Sequence, residues 1–250
     1  MRLVLSTAAA ADCTLDELLA ACARRGLAGL ELVSGHGHGI GPALDPVRLE
    51  EHRLRAEGRG IPIVAFRAAD RTEAYSPAAA RLSAALRAPI IAPRDGDRPP
   101  EEALLAAAAT YAHAGGTLLL EHGSDPAEVA RLRHAVERAP ARALALAWDV
   151  DPAAGDVSGA AASVLEVAGP SLRHIRLLGG GPEAAQHEGR GIGALMARLT
   201  LRGYDGALAL APSTPRYRIA WSAWLGRSGG WGCGSKAADP SLVRLDRALT

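Results

Sequence analysis

The sequence predicts an α/β fold, a single-domain (β/α)8 barrel, on three observations. Eight short apolar runs alternate with eight stretches that are amphipathic or alanine-rich at helical length, and strict alternation implies a parallel sheet closed on itself. The chain has 250 residues, which is the ordinary length of one such barrel, about 250 residues. Two of the runs, Thr117-Leu118-Leu119-Leu120 and Leu144-Ala145-Leu146-Ala147-Trp148, stop abruptly at the carboxylates Glu121 and Asp149. An apolar run that ends in an acid reads as a strand buried on both faces, presenting its functional group at the carboxyl end. The rival, an open doubly wound sheet, would carry a glycine fingerprint for phosphate after the first strand, and this chain has none.

The elements follow in order. Arg2 to Ser6 is the first strand. Thr14 caps a helix that runs through Arg25, with Leu15, Leu18, Leu19 and Cys22 on one face and Gly26 at its end. Ala28 to Val33 is the second strand, and Gly35-His36-Gly37-His38-Gly39-Ile40-Gly41 is too rich in glycine to be helix or strand. Asp45-Pro46 opens a helix to Gly58, Ile61 to Phe66 is strand three, and Ser76-Pro77 opens a helix to Arg87. Strand four is Pro89 to Ala92, followed by a helix from Pro99-Pro100-Glu101 to Ala114. Strands five and six are the runs ending in Glu121 and Asp149, joined by a helix from Ser124-Asp125-Pro126 to Arg138 that carries Val129, Leu132 and Val136 at helical spacing. An alanine-rich helix spans Asp156 to Val167, Leu172 to Leu178 is strand seven, and Ile192 to Arg202 is its helix. Gly206 to Leu210 is strand eight, and Pro215 to Leu225 is the last helix of the barrel. The barrel therefore occupies 1–225. Residues 226–250 form a Gly/Trp-rich C-terminal extension that packs on the barrel or over its mouth, ending in a short helix from Asp239-Pro240 to Leu249.

Composition narrows the function classes. With 48% hydrophobic and 22% charged residues the chain is globular, and no run approaches the ~20 apolar residues of a membrane span. A net charge of +1 gives no electrostatic footprint for nucleic acid or an anionic membrane. Cys13, Cys22 and Cys233 are odd in number and share no metal spacing, as expected for reduced thiols in a cytoplasmic protein. The apolar start after Met1-Arg2 superficially resembles a signal peptide, but its removal would delete the first strand.

In a barrel of parallel strands the carboxyl ends converge on one mouth. The residues there are Ser6, Thr7, His36, His38, Arg67, Arg94, Asp95, Glu121, His122, Asp149, Asp151 and Arg176. Strand residues alternate between lumen and helix side, so if Arg176 points inward His174 does too, while Arg173 and Ile175 face out. Arg67, Arg94 and Arg176 around one opening would suit a carboxylate or phosphate on the substrate. Lys236, in the glycine-rich tail beside Ser235, is placed to reach the mouth if the tail folds back as a lid; a tail merely packed elsewhere fits the sequence equally. Gly179-Gly180-Gly181 is either a phosphate loop or a plain connector.

Leu30-Glu31-Leu32 in strand two, Glu121-His122 ending strand five, Asp149 ending strand six, and Gly189-Arg190-Gly191-Ile192 leading on to Gly203-Tyr204-Asp205-Gly206 together resemble the xylose-isomerase-like TIM barrel superfamily of sugar isomerases and epimerases. The resemblance extends to about Thr214. It implies isomerisation, epimerisation or dehydration of a sugar or cyclitol through an enediolate, with a divalent metal held by carboxylates and a histidine. Glu121 and Asp149 fall on the superfamily's ligand positions in strands five and six. The strand-seven histidine falls at Arg176, the strand-eight glutamate at Ala211, and the aspartate after strand seven at Gly179, so the metal site is degenerate. Two carboxylates alone hold Mg²⁺ or Mn²⁺ only weakly.

These residues lead to an enzyme acting on a small polar sugar, cyclitol or related hydroxy-carbonyl compound by general acid/base proton transfer. No tightly bound cofactor is expected, and Arg176 stands in for the metal as electrophile. Glu121, Asp149, Arg176, His36 and His38 are the catalytic candidates, Arg67, Arg94, His122, His174 and Lys236 the substrate-binding ones, and Glu121 and Asp149 the ligands if a metal binds. The alternatives are a lyase or dehydratase of the same superfamily and a non-catalytic barrel, a binding subunit or pseudoenzyme in which the charged residues form an inert ion-pair cluster. The expected partner is a small molecule, anionic if the three arginines face it, with neither nucleic acid nor membrane, and a homo-oligomer is compatible with the sequence.

Overall fold

Apolar runs become eight parallel strands of three to eight residues that pair in chain order. β1 (Arg2–Ser6), β2 (Leu30–Val33), β3 (Ile63–Arg67), β4 (Ile90–Ala92), β5 (Leu118–His122), β6 (Leu144–Val150), β7 (Leu172–Gly179) and β8 (Ala207–Pro212) form a closed barrel in which β8 pairs with β1. This arrangement comes from a computed structural model that describes residues 1–95, 99–151, 157–179 and 184–212. The last barrel helix expected from Pro215, the extension at 226–250 and Lys236 lie outside the described residues.

The helices begin where the sequence supplies caps. α1 (Leu15–Arg25) starts at a capping box in which Thr14 accepts from the Glu17 N–H and Glu17 accepts from the Thr14 N–H. α2 (Pro46–Gly58), α4 (Pro77–Leu86) and α6 (Pro126–Arg138) each open on a capping Asp or Ser followed by proline. α5 (Glu101–Ala114) and α7 (Val157–Ala168) are as expected to within two residues. Two helices differ. The short α3 (Arg71–Ala74), capped by Asp70, fills what read as a loop between β3 and α4. α8 (Ala184–Leu201) begins eight residues earlier than Ile192, so Gly189-Arg190-Gly191 lies within the helix rather than before it. Each glycine weakens a helix by about 1 kcal/mol relative to alanine, and three of them do not stop one of 18 residues.

Parity along the strands separates two cores. Leu118 and Leu120 of β5 join the large cluster under the helices, whereas Leu119 meets Ala65, Ile91, Ala145 and Ala147 inside the barrel. Val4, Val64, Ala207 and Ala209 form a second lumen cluster. Alanine at so many lumen positions leaves space that hydrocarbon does not fill, and charged side chains take it.

The turn into β8 explains Gly203-Tyr204-Asp205-Gly206. Tyr204 Oη donates to the Ala207 carbonyl at 3.0 Å, and a Cβ on Gly206 would collide with that phenol and with the Arg173 carbonyl. Gly37 is a second close approach, where its N–H donates to the Ala11 carbonyl at 2.6 Å and an added Cβ would lie 2.8 Å from the Asp12 backbone. Gly37→Ala is expected to lower stability by about 1–3 kcal/mol, as overpacking against backbone does, measured by urea unfolding. No helix among the described residues is long and apolar enough to cross a membrane.

Candidate active site

The lumen near the carboxyl ends of the strands holds a connected lattice of charge. Register places Glu31 of β2 beside Ser6 of β1 and Ala65 of β3, facing inward. Its carboxylate is completely buried and accepts from Ser6 Oγ at 2.6 Å, His174 Nε2 at 2.7 Å and Arg176 Nε at 3.1 Å. Arg176 then reaches the next layer. Its Nη1 lies 3.0 Å from both oxygens of Asp149 and 3.4 Å from Glu121 Oε2. Glu121 is gripped on its far side by Arg67, Nε to Oε2 at 2.9 Å and Nη2 to Oε1 at 3.3 Å, and accepts from the Arg94 N–H at 3.2 Å. The expectation that Glu121, Asp149, Arg176 and His174 converge inside the barrel is met. Arg67 joins them. Glu31, which the sequence reading left out of the site, is at its base.

The carboxyls differ in their response to this setting. Burial alone would raise the pKa of Glu31, but the Arg176 charge and the bonds from His174 and Ser6 outweigh it and hold Glu31 well below the usual carboxylate range. Glu121 is likewise buried, yet the hydrogen bonds and charge of Arg67, then of Arg176, hold it down. Asp149 goes the other way. Burial pushes it up, Arg176 opposes, and the neighbouring negative Glu121, to which it is hydrogen-bonded, adds to the rise, so that its pKa is pushed up to about 7. Two carboxyls this close favour one shared proton, and the opposite directions of the two shifts put it on Asp149 below about pH 7. With that proton in place, two carboxylates face the guanidiniums of Arg67 and Arg176.

A divalent ion does not fit these side chains. Nη1 of Arg176 occupies the point between Asp149 and Glu121, and β8 offers no ligand there, with Ala209 in register with Arg176 and Ala211 two residues on. Among the described residues no group of three or more His, Cys, Asp or Glu side chains is arranged to hold a metal.

The other candidates lie around this lattice. Ile40 N–H donates to His38 Nδ1 at 3.0 Å, so Nε2 carries the proton and donates to the Val33 carbonyl at 2.9 Å. His38 is thus buried within its own loop. Burial pushes it down to about 4, leaving it neutral; with both nitrogens on backbone, it fixes the loop. His36 Nδ1 is 3.1 Å from Thr7 Oγ1, which also accepts from the Val33 N–H, and so ties the β1 and β2 loops at the rim. His122 follows Glu121 and therefore faces the helices with Leu118 and Leu120, away from the lumen. It donates from Nδ1 to the Gly123 carbonyl at 2.7 Å, and its buried Nε2 has no hydrogen-bond partner. The Arg94 side chain also turns outward, to Glu128 on α6 at 3.1 Å. Hence the expected ring of three arginines at the mouth reduces to Arg67 and Arg176, both already paired. A narrow cleft lined by Arg71, Tyr75, Pro93, Glu128 and Arg131 reaches Glu121 from the β4 side.

No protein-family model matches this sequence, and no curated protein does. Solved structures do match its fold. D-psicose 3-epimerase with D-tagatose from Clostridium cellulolyticum H10 is 14% identical, with a TM-score of 0.61 over 100% of this chain and 97% of that one. A xylose isomerase domain protein from Planctomyces limnophilus is 14% identical, with a TM-score of 0.58 over 89% of this chain and 92% of that one. Endonuclease IV from Thermus thermophilus is 17% identical, with a TM-score of 0.59 over 91% of this chain and 100% of that one. This chain therefore shares the closed (β/α)8 barrel fold of these three proteins, a sugar epimerase, a xylose isomerase domain protein and a nuclease.

Proposed function

We propose that this chain is a metal-independent enzyme of the sugar isomerase and epimerase type, moving a proton beside the carbonyl of a small, uncharged hydroxy-carbonyl substrate. The observation that carries the proposal is Asp149, a carboxyl whose pKa is pushed up to about 7 at the mouth of the barrel, against a guanidinium. A general base works best when its pKa lies near the working pH. Ionised Asp149 takes the proton from the carbon next to the carbonyl, the electron pair moves to the carbonyl oxygen, and Arg176 stabilises the enediolate as a fixed positive charge. Asp149 then delivers a proton, exchangeable with solvent while it is held, to the former carbonyl carbon, while the hydroxyl proton of the deprotonated carbon passes to the former carbonyl oxygen, so hydrogens and charge balance. One base on one face favours a shift between adjacent carbons over inversion at a single carbon. Glu121, saturated by Arg67 and the Arg94 N–H, keeps Asp149 poised. Because the lumen guanidiniums are matched by carboxylates, an uncharged substrate suits the site better than the anionic one that the arginines alone suggested. The near-neutral net charge supports neither nucleic acid nor membrane as partner, and the buried thiols Cys13 and Cys22 are compatible with a cytoplasmic location.

A second reading rests on the same saturation: Arg176 and Arg67 are so fully engaged that the lattice serves as a core and the barrel as a binding subunit without catalysis. Solvent-deuterium exchange separates the two. The wild type is incubated with D-psicose, D-tagatose and D-fructose in D₂O and the sugar C–H signals are followed by NMR. Exchange is expected for at least one of them, slowed at least about 10-fold in Glu121→Gln, since a positioned proton-transfer pair contributes about 10²–10⁴-fold. Signals of a dehydrated product would indicate the lyase variant. Absence of exchange with any sugar would leave the non-catalytic barrel.

A further inference from the structure

We infer that Glu31 is a positioning residue for the proposed reaction, setting the plane of the Arg176 guanidinium from beneath so that its Nη1 edge is presented to the mouth. The inference rests on the proposed function for its catalytic meaning and on geometry for its substance. Arg176 has two usable edges. Its Nε edge goes to Glu31 Oε1 at 3.1 Å, and Nη1 goes to Asp149 at 3.0 Å and Glu121 at 3.4 Å. A long arginine side chain pivots about several bonds, and with the Nε edge released it would turn to set two parallel N–H groups on one carboxylate, the bidentate geometry that guanidinium prefers. Asp149 would then be locked as the partner of a two-point ion pair. Glu31 prevents this by taking one edge.

Glu31 is itself fixed. Ser6 at 2.6 Å also holds Oε1 and His174 at 2.7 Å holds Oε2, and its carboxylate has no contact with solvent. It cannot follow the guanidinium if Arg176 swings. The lumen alanines Ala65, Ala145, Ala147, Ala207 and Ala209 give the glutamate room to cross from β2 to β7. Glu31 does not reach the mouth, so its effect on chemistry passes through Arg176.

A double-mutant cycle tests this with the sugar that exchanges fastest in D₂O. Glu31→Gln is expected to lower kcat about 10²-fold, the loss seen when an oriented donor to a developing oxyanion is misplaced, with KM changed less than about threefold. In an Arg176→Lys background, where no Nε edge remains to be held, the same substitution is expected to lower kcat by less than about threefold further. An undiminished kcat in Glu31→Gln, or equal losses in both backgrounds, would overturn the inference. If Glu31→Gln does not fold, Glu31→Asp keeps the charge but withdraws it by one methylene, with the same two outcomes expected. Should the wild type exchange no sugar, the proposed function fails while the inference stays testable by NMR. The Arg176 Nε–H signal is expected to be slow to exchange in the wild type and fast in Glu31→Gln, and an unchanged signal overturns the positioning role.

Discussion

Arg176→Met is expected to lower stability by about 3–5 kcal/mol at pH 7, the range for removing one partner of a buried ion pair, and to abolish deuterium exchange. Methionine keeps most of the volume but leaves Glu31, Glu121 and Asp149 around a neutral side chain, with Arg67, His174, Ser6 and the Arg94 N–H as the remaining donors. The loss is electrostatic, so it is linked to protons. In the variant the buried carboxyls titrate above their unfolded values, and a group whose pKa is raised by folding contributes stability at low pH that is lost as pH rises. The deficit relative to wild type should therefore be largest at pH 7–8 and shrink towards pH 5. Urea unfolding of both proteins across that range measures it, and equal deficits at pH 5 and pH 8 would show that the lattice is not balanced by charge as described.

Asp149→Asn is expected to have a large effect on turnover with little effect on structure. Asparagine resembles protonated Asp149 and can still donate to Glu121, but it cannot take a proton from carbon. Exchange should fall by at least about 10²-fold, the lower end for a general base. The rise of the wild-type rate through pH 7, as Asp149 ionises, should disappear. The stability profile gives an independent check. Asp149 has a folded pKa of about 7 against 3.8 for the free side chain, so its contribution is fully present below about pH 4 and is lost as pH rises to about 7. Glu31 has the opposite sign, but its contribution is lost only below its ordinary value of 4.5. Between pH 4.5 and 7 the wild type should lose stability relative to Asp149→Asn, which has no carboxyl to ionise. Parallel profiles for the two proteins would remove Asp149 as the titrating group.

Much of the barrel was legible because each strand announces itself by an apolar run and each helix by a cap, as at Thr14 and Asp125-Pro126. The lumen was legible only where alternation was followed through. Applied to strand seven it correctly paired His174 with Arg176. Applied to Glu121-His122 it would have excluded His122, since neighbouring residues of a strand without a bulge face opposite sides. Applied to Leu30-Glu31-Leu32 it would have found Glu31, whose single acid between two leucines is the signal that was available. Attention to strand ends hid it, because Glu31 sits two residues before the end of β2 and one layer deeper. The pairing of Arg94 with Glu128 was not legible at all, since it depends on how α6 lies against the end of β4. Nor could glycine content reveal that His38 clips its loop shut, because that depends on two backbone groups brought into place by the turn.

The contacts of Glu31 with His174 and Arg176 join residues 143 and 145 positions apart. Contacts so distant along the chain carry a large loop-closure entropy and form after local ones. The first strands and helices can assemble without them, but β7 must arrive before the acid on β2 finds its counter-ion. Until then Glu31 faces water and is stable there. The polar centre thus acts as a late latch on ring closure, holding the first and last thirds of the chain together and influencing chiefly how fast the completed barrel comes apart.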